Sequence, residues 1–566
     1  MLLFNPHKYQ HDHSDKKSRQ LVEKTIAFFE RKGLKKIKED DQTMVWYEDF
    51  LEFIKQEKVF ATLLTPSGYG AEDSRWDMWR IGEFNEVLAF YGLCYWYAWQ
   101  VSILGLGPIW MGANEALKHQ TAQLLNEGGI FAFGLSEKEH GADLYSSEVT
   151  LHPQKDGSYL ARGSKYYIGN GNCAALVSTF GKLADSGEYV FFVVKSDHPN
   201  YECVKKIDTS GVRQAYVAEY CLHDYPIDKD DILSVGPLAW DSSLNTVNIG
   251  KFELGFAAIG IATHCFYEAL NHAAKRRLYD QLVTDFPHVR KTFTEAYARL
   301  NAAKLFALRA GDYLRSASDE DRRYLLFNPI VKMKVTSQGE QIVDLLHDVI
   351  AAKGFEQDSY FEMAIRDIGM LPKLEGTEHV NMALNVKFIR NYFFGPCDYP
   401  EIPRRNDSAD DRYLFQQFTG GLAKIRFPDY RRAYQNFDSE NITIFREQVE
   451  LFRQLLIQAP PTQEQMKNID YMLAAGELFT LIVYAQLILE NSKIYRLDDS
   501  LLEQIFDFLI RDYSAFALQM VLNHSNLPEQ EEIYRSMLKK PTQNPAQFEQ
   551  VWAQVRALED CYQMPE

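Results

Sequence analysis

The pattern of apolar residues changes character twice along this 566-residue chain, and that double switch constrains the fold more than any other feature. Up to about residue 125 the spacing is helical. Leu21, Ile26, Phe28 and Phe29, then Trp46, Phe50, Phe53 and Ile54, recur three to four apart. Thr65-Pro66-Ser67-Gly68-Tyr69-Gly70 reads as a turn before apolar helices over 84–102 and 115–125. After Gly128-Gly129 the pattern turns strand-like. Ile130–Phe133, Val149–Leu151, Ser158–Ala161, Tyr166–Ile168, Leu176–Phe180 and Tyr189–Val194 are separated by Gly, Asp and Pro turns. Helix resumes at Lys251, with Phe252, Phe256, Ile259, Thr263, Phe266, Leu270 and Ala273 on one face. A second helix is expected over 288–317. A third is expected from Asn328-Pro329, a cap followed by proline at the first helical position, to a stop at Gly354.

This order predicts an α+β chain in four parts. They are an N-terminal helical domain over 1–128, a central β-sandwich or barrel over 129–245, a C-terminal helical domain over 246–398 and an additional helical block over 399–566. The last block has amphipathic segments near 436–457, 464–494, 498–524 and 545–558, and carries no catalytic signature.

Charge narrows the partners. A net charge of −17 argues against nucleic acid, because phosphate binding needs clustered cations. Seven scattered cysteines without metal-like spacing predict reduced thiols in a cytoplasmic setting and no metal site. The N-terminus lacks the basic-then-apolar pattern of a secretory signal, and no apolar run reaches the length expected of a membrane span.

Three local motifs carry chemistry. Gly134-Leu135-Ser136-Glu137-Lys138-Glu139-His140-Gly141-Ala142-Asp143 follows the first strand. Arg162-Gly163-Ser164-Lys165-Tyr166-Tyr167-Ile168-Gly169-Asn170-Gly171 lies about 30 residues beyond it. Ala351-Ala352-Lys353-Gly354-Phe355, Arg366-Asp367 and Leu374-Glu375-Gly376-Thr377 complete a third. The last tetrapeptide places a carboxylate on a short glycine-hinged connection. A base that must reach a carbon held against a flat cofactor needs such a placement.

Together the motifs and the helix–sheet–helix order resemble the acyl-CoA dehydrogenase family over roughly residues 15–395. The resemblance implies a four-helix form for the third domain and FAD between it and the central domain. It further implies that Ser136 supplies a hydroxyl to the flavin and Tyr167 a ring that packs on it. Gly169 stands where relatives carry a threonine, Arg276 would reach the flavin pyrophosphate, and Gly354 belongs to the turn that approaches the cofactor of a neighbouring subunit. Thr377 would hold FAD, and Glu375 would be the base that takes the α proton of an acyl-CoA thioester. Ala142, Gly169 and Ala351-Ala352 depart from the family pattern at cofactor positions.

The expected activity is α,β-dehydrogenation of an acyl-CoA, with electrons passed to an electron-transferring flavoprotein, in a homodimer or homotetramer. An acyl-CoA oxidase using O2, suggested by His140-Gly141, and a non-catalytic subunit stand as alternatives.

Overall fold

The structure is a computed structural model and describes residues 2–9, 15–417 and 420–566. Six helices open the described chain after a short 3-10 turn: α1 (Lys16–Thr43), α2 (Glu48–Gln56), α3 (Val59–Leu64), α4 (Met78–Tyr91), α5 (Leu93–Met111) and α6 (Glu115–Asn126). Asp15, Asp77 and Asn114 cap α1, α4 and α6 by accepting backbone N–H bonds that a helix start leaves free. Helix α5 is buried on nearly every side and forms the floor under the sheet.

The central layer is one eight-stranded sheet. Its strands are β1 (Phe131–Gly134), β2 (Thr150–Pro153), β3 (Tyr159–Gly169), β4 (Leu176–Leu183), β5 (Tyr189–Val194), β6 (Tyr201–Lys206), β7 (Val217–Ile227) and β8 (Ile232–Val235). The pairing order is β6-β7-β3-β2-β4-β5-β8, with β1 added parallel to β4. Ser158–Ala161 and Tyr166–Ile168, read from sequence as separate strands, are one strand, β3. Gly163, at φ +124°, lets it pass close to Val149 without a break.

The second helical layer comprises α7 (Pro237–Lys275), α8 (Pro287–Arg315), α9 (Tyr324–Ile330), α10 (Thr336–Ile350), α11 (Tyr360–Ile368), α12 (Glu378–Asn385) and α13 (Ile389–Phe393). Two details differ from the sequence reading. Helix α7 starts at Pro237, not Lys251, and runs through residues 245 and 246; its first turns are rich in Ser, Asn and Thr, which hid their burial. Asn328 does not cap a helix, and Pro329 lies inside α9. Directly after it, Val331–Val335 forms a π-turn before α10 begins.

Of the remaining helices, α14 (Glu440–Gln458), α15 (Ile469–Tyr495), α16 (Asp499–Val521), α17 (Pro528–Ser536) and α18 (Pro545–Arg556), α15, α16 and α18 pack on α8, and α14 and α17 pack on α16. Arg299 of α8 makes a two-point ion pair with Asp512 of α16 (2.8 and 2.9 Å), and Asn491 of α15 donates to the Leu305 carbonyl at 2.7 Å. The block therefore shares a core with the second layer. Helix α15, with a mean hydropathy of 1.8 over its most apolar window, is long and apolar enough to cross a membrane, against the sequence expectation; 78% of that window is buried in the protein, as in a core helix.

Candidate active site

The turn at Glu375 is held from three sides. Glu375 has φ +52° and Gly376 φ +86°, so two successive residues take left-handed backbone, a costly state for glutamate. Lys332, from the π-turn, donates to the Pro372 carbonyl at 2.6 Å and also to the Gly376 carbonyl. Asn381 Nδ2 of α12 donates to the carbonyls of Gly376 and Thr377, each at 3.0 Å. These donors fix the strained turn and aim the glutamate side chain inward.

Its carboxylate meets α5 and α7. Gln100 Nε2 of α5 donates to Glu375 Oε1 at 2.6 Å and to the Gly250 carbonyl at 3.1 Å. Glu375 Oε2 is buried without a hydrogen-bond partner and lies against the Cα of Gly250, where a side chain would collide with it. Burial pushes the Glu375 carboxyl up to about 7, opposed by the Gln100 bond and by the Lys251 and Lys332 charges. Both lysines are lowered by burial to about 8, Glu375 opposing that shift. Glu253, one turn along α7, is fully buried with both oxygens unpaired, and burial raises its carboxyl well above the usual range. A carboxylate poised near neutrality, with one oxygen free and cations beside it, is equipped to take up a proton.

The other site residues expected from sequence fall into two groups. Ser136 Oγ donates to the Tyr166 carbonyl at 2.7 Å, and Tyr166 N–H returns a bond to the Ser136 carbonyl at 3.0 Å, joining the end of β1 to β3. Between Lys165 and Ile168 the pairing of β3 with β7 slips by one residue. This bulge puts Tyr167 at φ +63° with its ring 61% exposed, beside Ser136. Gly169 is packed against α5. A Cβ there would lie 2.6 Å from Tyr97 Cε1 and 2.7 Å from Val101 Cγ2, which is why no threonine stands at this position. Burial raises the Tyr97 hydroxyl above its ordinary pKa, and the Glu375 charge adds to that shift. Thr377, two residues past Glu375, is exposed, and its hydroxyl does not cap α12. Gly169 and Glu375 thus meet neighbouring turns of α5, through Tyr97 and Gln100 respectively, while Ser136 and Tyr167 lie on the sheet side and Thr377 follows Glu375 in the chain.

Arg276 and Gly354 lie elsewhere. Arg276 is exposed at the C-terminal end of α7, its guanidinium 3.4 Å from His272 Nε2. Gly354 is buried against the His347 ring, which a Cβ would meet at 2.6 Å. The two are neighbours, since His272 senses both Arg276 and Lys353. From Gly250 to Arg276 the helix advances 26 residues, about 39 Å at 1.5 Å each. The two groups cannot grip opposite ends of one dinucleotide within one chain.

Three motif residues are structural. Glu137 accepts from Lys165 Nζ (2.7 Å), Ser147 Oγ (2.7 Å) and the Glu148 and Val149 N–H groups (2.8 and 3.3 Å), tying down the loop after β1. Glu137, His140 and Glu148 bring ligand atoms within 4.8 Å of one another, but Lys165 neutralises Glu137. Asp367 Oδ1 accepts from Val212 N–H at 2.8 Å, and Arg366 pairs with Asp41 at 2.6 Å, so Arg366-Asp367 fastens α11 to the sheet and to α1.

Sequence reading missed Tyr97, Gln100, Gly250, Lys251, Glu253 and Lys332. The available signal was polarity in the wrong place: an amide in the apolar helix α5, and a lysine and a glutamate within the buried stretch of α7.

Comparison with known proteins agrees with this geometry. Residues 132–225 match the middle domain of acyl-CoA dehydrogenase and residues 240–389 its C-terminal domain. The short-chain specific acyl-CoA dehydrogenase of Megasphaera elsdenii is 21% identical over 279 residues, 49% of this chain and 72% of the relative. The acyl-CoA dehydrogenase of Bacillus anthracis, solved with FAD, superposes with a TM-score of 0.76 at 17% identity, covering 99% of this chain and 97% of that one. A chain of the electron transferring flavoprotein of Acidaminococcus fermentans gives a TM-score of 0.59 at 20% identity, covering 67% of this chain and all of that one. Residues 132–225 and 240–389 thus carry the middle and C-terminal domains of the acyl-CoA dehydrogenase family, in order, within the same succession of helices, sheet and helices.

Proposed function

We propose that this protein is an FAD-dependent acyl-CoA dehydrogenase in which Glu375 removes the α proton of the thioester. The observation that carries the reading is the buried, half-paired carboxylate of Glu375, lifted to about 7 and aimed inward by a clamped turn. The residues that the resemblance assigns to a flavin ring suit it: an exposed tyrosine for stacking, an exposed threonine hydroxyl, and glycine at the edge of β3. When bound, FAD accepts the β hydrogen of the substrate as hydride.

The chain's own part is positional and electrostatic. Gln100 orients one oxygen of Glu375 and leaves the other to receive the proton. Lys251 and Lys332 keep enough positive charge nearby for the buried carboxylate to ionise near neutral pH. Exclusion of water by α5 and α7 raises the basicity that a solvated glutamate lacks.

Arg276 and Gly354, about 39 Å along α7 from the base, fit the cofactor of a second copy. This end also exposes Tyr279 and Phe355, and a homodimer is proposed on that ground. An electron-transferring flavoprotein is the proposed acceptor, and seven unpaired cysteines suit a reducing, cytoplasmic setting.

The test is Glu375→Gln. The purified variant should keep its flavin absorbance while flavin reduction by acyl-CoA slows by about 10²- to 10⁴-fold, the usual worth of a general base. Normal reduction would refute the role. One observation favours a second reading, a non-catalytic subunit: Tyr97 packs against Gly169, about one turn of α5 before the Gln100 that holds Glu375, so side chains crowd the helix beside the carboxylate. A purified chain that neither carries nor takes up FAD supports that reading instead.

A further inference from the structure

A cavity of about 350 Å³ opens between α4, α7 and α8, and each helix gives it one stripe of side chains. Trp79, Glu83 and Glu86 of α4 are spaced four and three apart. Phe252 and Phe256 of α7 are four apart, as are Lys304 and Leu308 of α8, so each set shares one helix face. Phe252 follows Gly250 by two residues, about 200° around α7, and the cavity touches neither Glu375 nor Gly250. Residues 2–9 form a further wall. Leu3 and Phe4 line it, Phe4 sets its ring edge-on to Phe90 at 5.0 Å, and Tyr9 donates to Glu83 Oε1 at 2.9 Å. Asn5 Nδ2 donates to the Cys561 carbonyl at 3.2 Å and ties this wall to the segment after α18.

The charges around the cavity are balanced. Lys304 Nζ bonds Glu86 Oε2, Lys8 and Glu83 are opposite in sign, and Arg315 is held by Asp411 at 2.9 Å and Asp77 at 3.3 Å. One polar atom is left over. Glu86 is only 3% exposed, and its Oε1 is buried without a hydrogen-bond partner. A buried acceptor in that state favours a donor that reaches it. A cation or anion brought there would instead add a buried charge to a set already matched.

We propose that this cavity is a binding site for a small uncharged alcohol, its hydroxyl donating to Glu86 and its apolar body lying against Phe252, Phe256 and Leu308. The volume is over twice the roughly 150 Å³ of an apolar cavity that takes up benzene, which leaves room for one ring and a short chain. The site stands apart from the dehydrogenase reading and does not depend on it.

The experiment is calorimetric titration of the purified protein with 4-phenylbutan-1-ol, butylbenzene, 4-phenylbutanoate and 4-phenylbutylammonium. The alcohol should bind at least about tenfold more tightly than each of the other three, the scale of one hydrogen bond to a charged group. Leu308→Trp, which fills the cavity, should weaken the alcohol by about tenfold or more. Replacing the ion pair together, Glu86→Leu with Lys304→Met, should bring the alcohol and butylbenzene to equal affinity. A wild-type crystal soaked with 4-(4-bromophenyl)butan-1-ol should show bromine scattering beside Phe252 and Leu308, and serves if the variants do not fold. No binding of the alcohol, equal or tighter binding of butylbenzene or of either ion, undiminished affinity in Leu308→Trp, or bromine elsewhere overturns the proposal.

Discussion

Gln100 Nε2 donates to Glu375 Oε1 across 2.6 Å, joining the middle of α5 to a turn 275 residues later. This bond lowers the proton affinity of a carboxylate that burial has raised. The rate of flavin reduction should therefore climb with pH through about 7 as Glu375 ionises. Gln100→Leu should move that limb upward by removing a bond to the ionised form. Stability should change in the opposite sense. The folded chain holds the Glu375 proton up to about 7, whereas the unfolded chain releases it near 4.3. The stabilising contribution is complete below the unfolded value and is lost as pH rises to about 7. Urea unfolding at a series of pH values, wild type against Glu375→Gln, reads this directly, and the variant should show the shallower decline.

Lys332 acts on the same carboxylate in two ways. It places a charge beside Glu375, and it donates to the carbonyls of Pro372 and Gly376. Lys332→Met should shift the ascending pH limb above the wild-type position. It should also destabilise the fold by roughly 1–3 kcal/mol, because the Pro372 carbonyl loses its donor while Gly376 keeps Asn381. Stopped-flow reduction and chemical unfolding separate the two effects.

Lys165 and Glu137 form a buried pair, the lysine lowered to about 8 by burial against the pull of Glu137. Removing only the cation leaves a buried carboxylate whose remaining donors are Ser147 and two backbone N–H groups. Lys165→Met should cost about 3–5 kcal/mol. The loss should appear as a lower thermal midpoint and as faster proteolysis of the loop after β1.

Ala351 occupies φ +54°, ψ −138°, backbone that glycine adopts freely and alanine does not. Such strain costs about 1–3 kcal/mol, and glycine returns roughly 0.4–1 kcal/mol of that through the unfolded chain. Ala351→Gly should therefore stabilise the protein by about 1 kcal/mol in equilibrium unfolding.

Much of the architecture was legible because it rests on local rules. Apolar spacing distinguished the helices of residues 16–126 from the strands of 131–235, since burial of one face imposes a period of 3.6 or 2. Capping and turn chemistry misled where tertiary contacts overrode them. Asn328-Pro329 has the local form of a helix start, yet α9 begins at Tyr324 and packs on α7, α8 and α12 with the proline inside it. The extent of α7 was hidden for a related reason: its Ser, Asn and Thr residues are buried by neighbours that local sequence does not name.

At the site, the sequence by itself singled out the proposed base and its hinge, Glu375 and Gly376, because a motif of adjacent residues encodes its own backbone geometry. Only the tertiary structure decided what surrounds that base. Gln100, Gly250, Lys251 and Lys332 are brought to it from two helices and a π-turn. The same packing explains Gly169 by Tyr97 and moves Arg276 and Gly354 to the far end of α7. A carboxylate's proton affinity depends on burial and on charges a few ångströms away, and both are set by contacts between segments far apart in the chain.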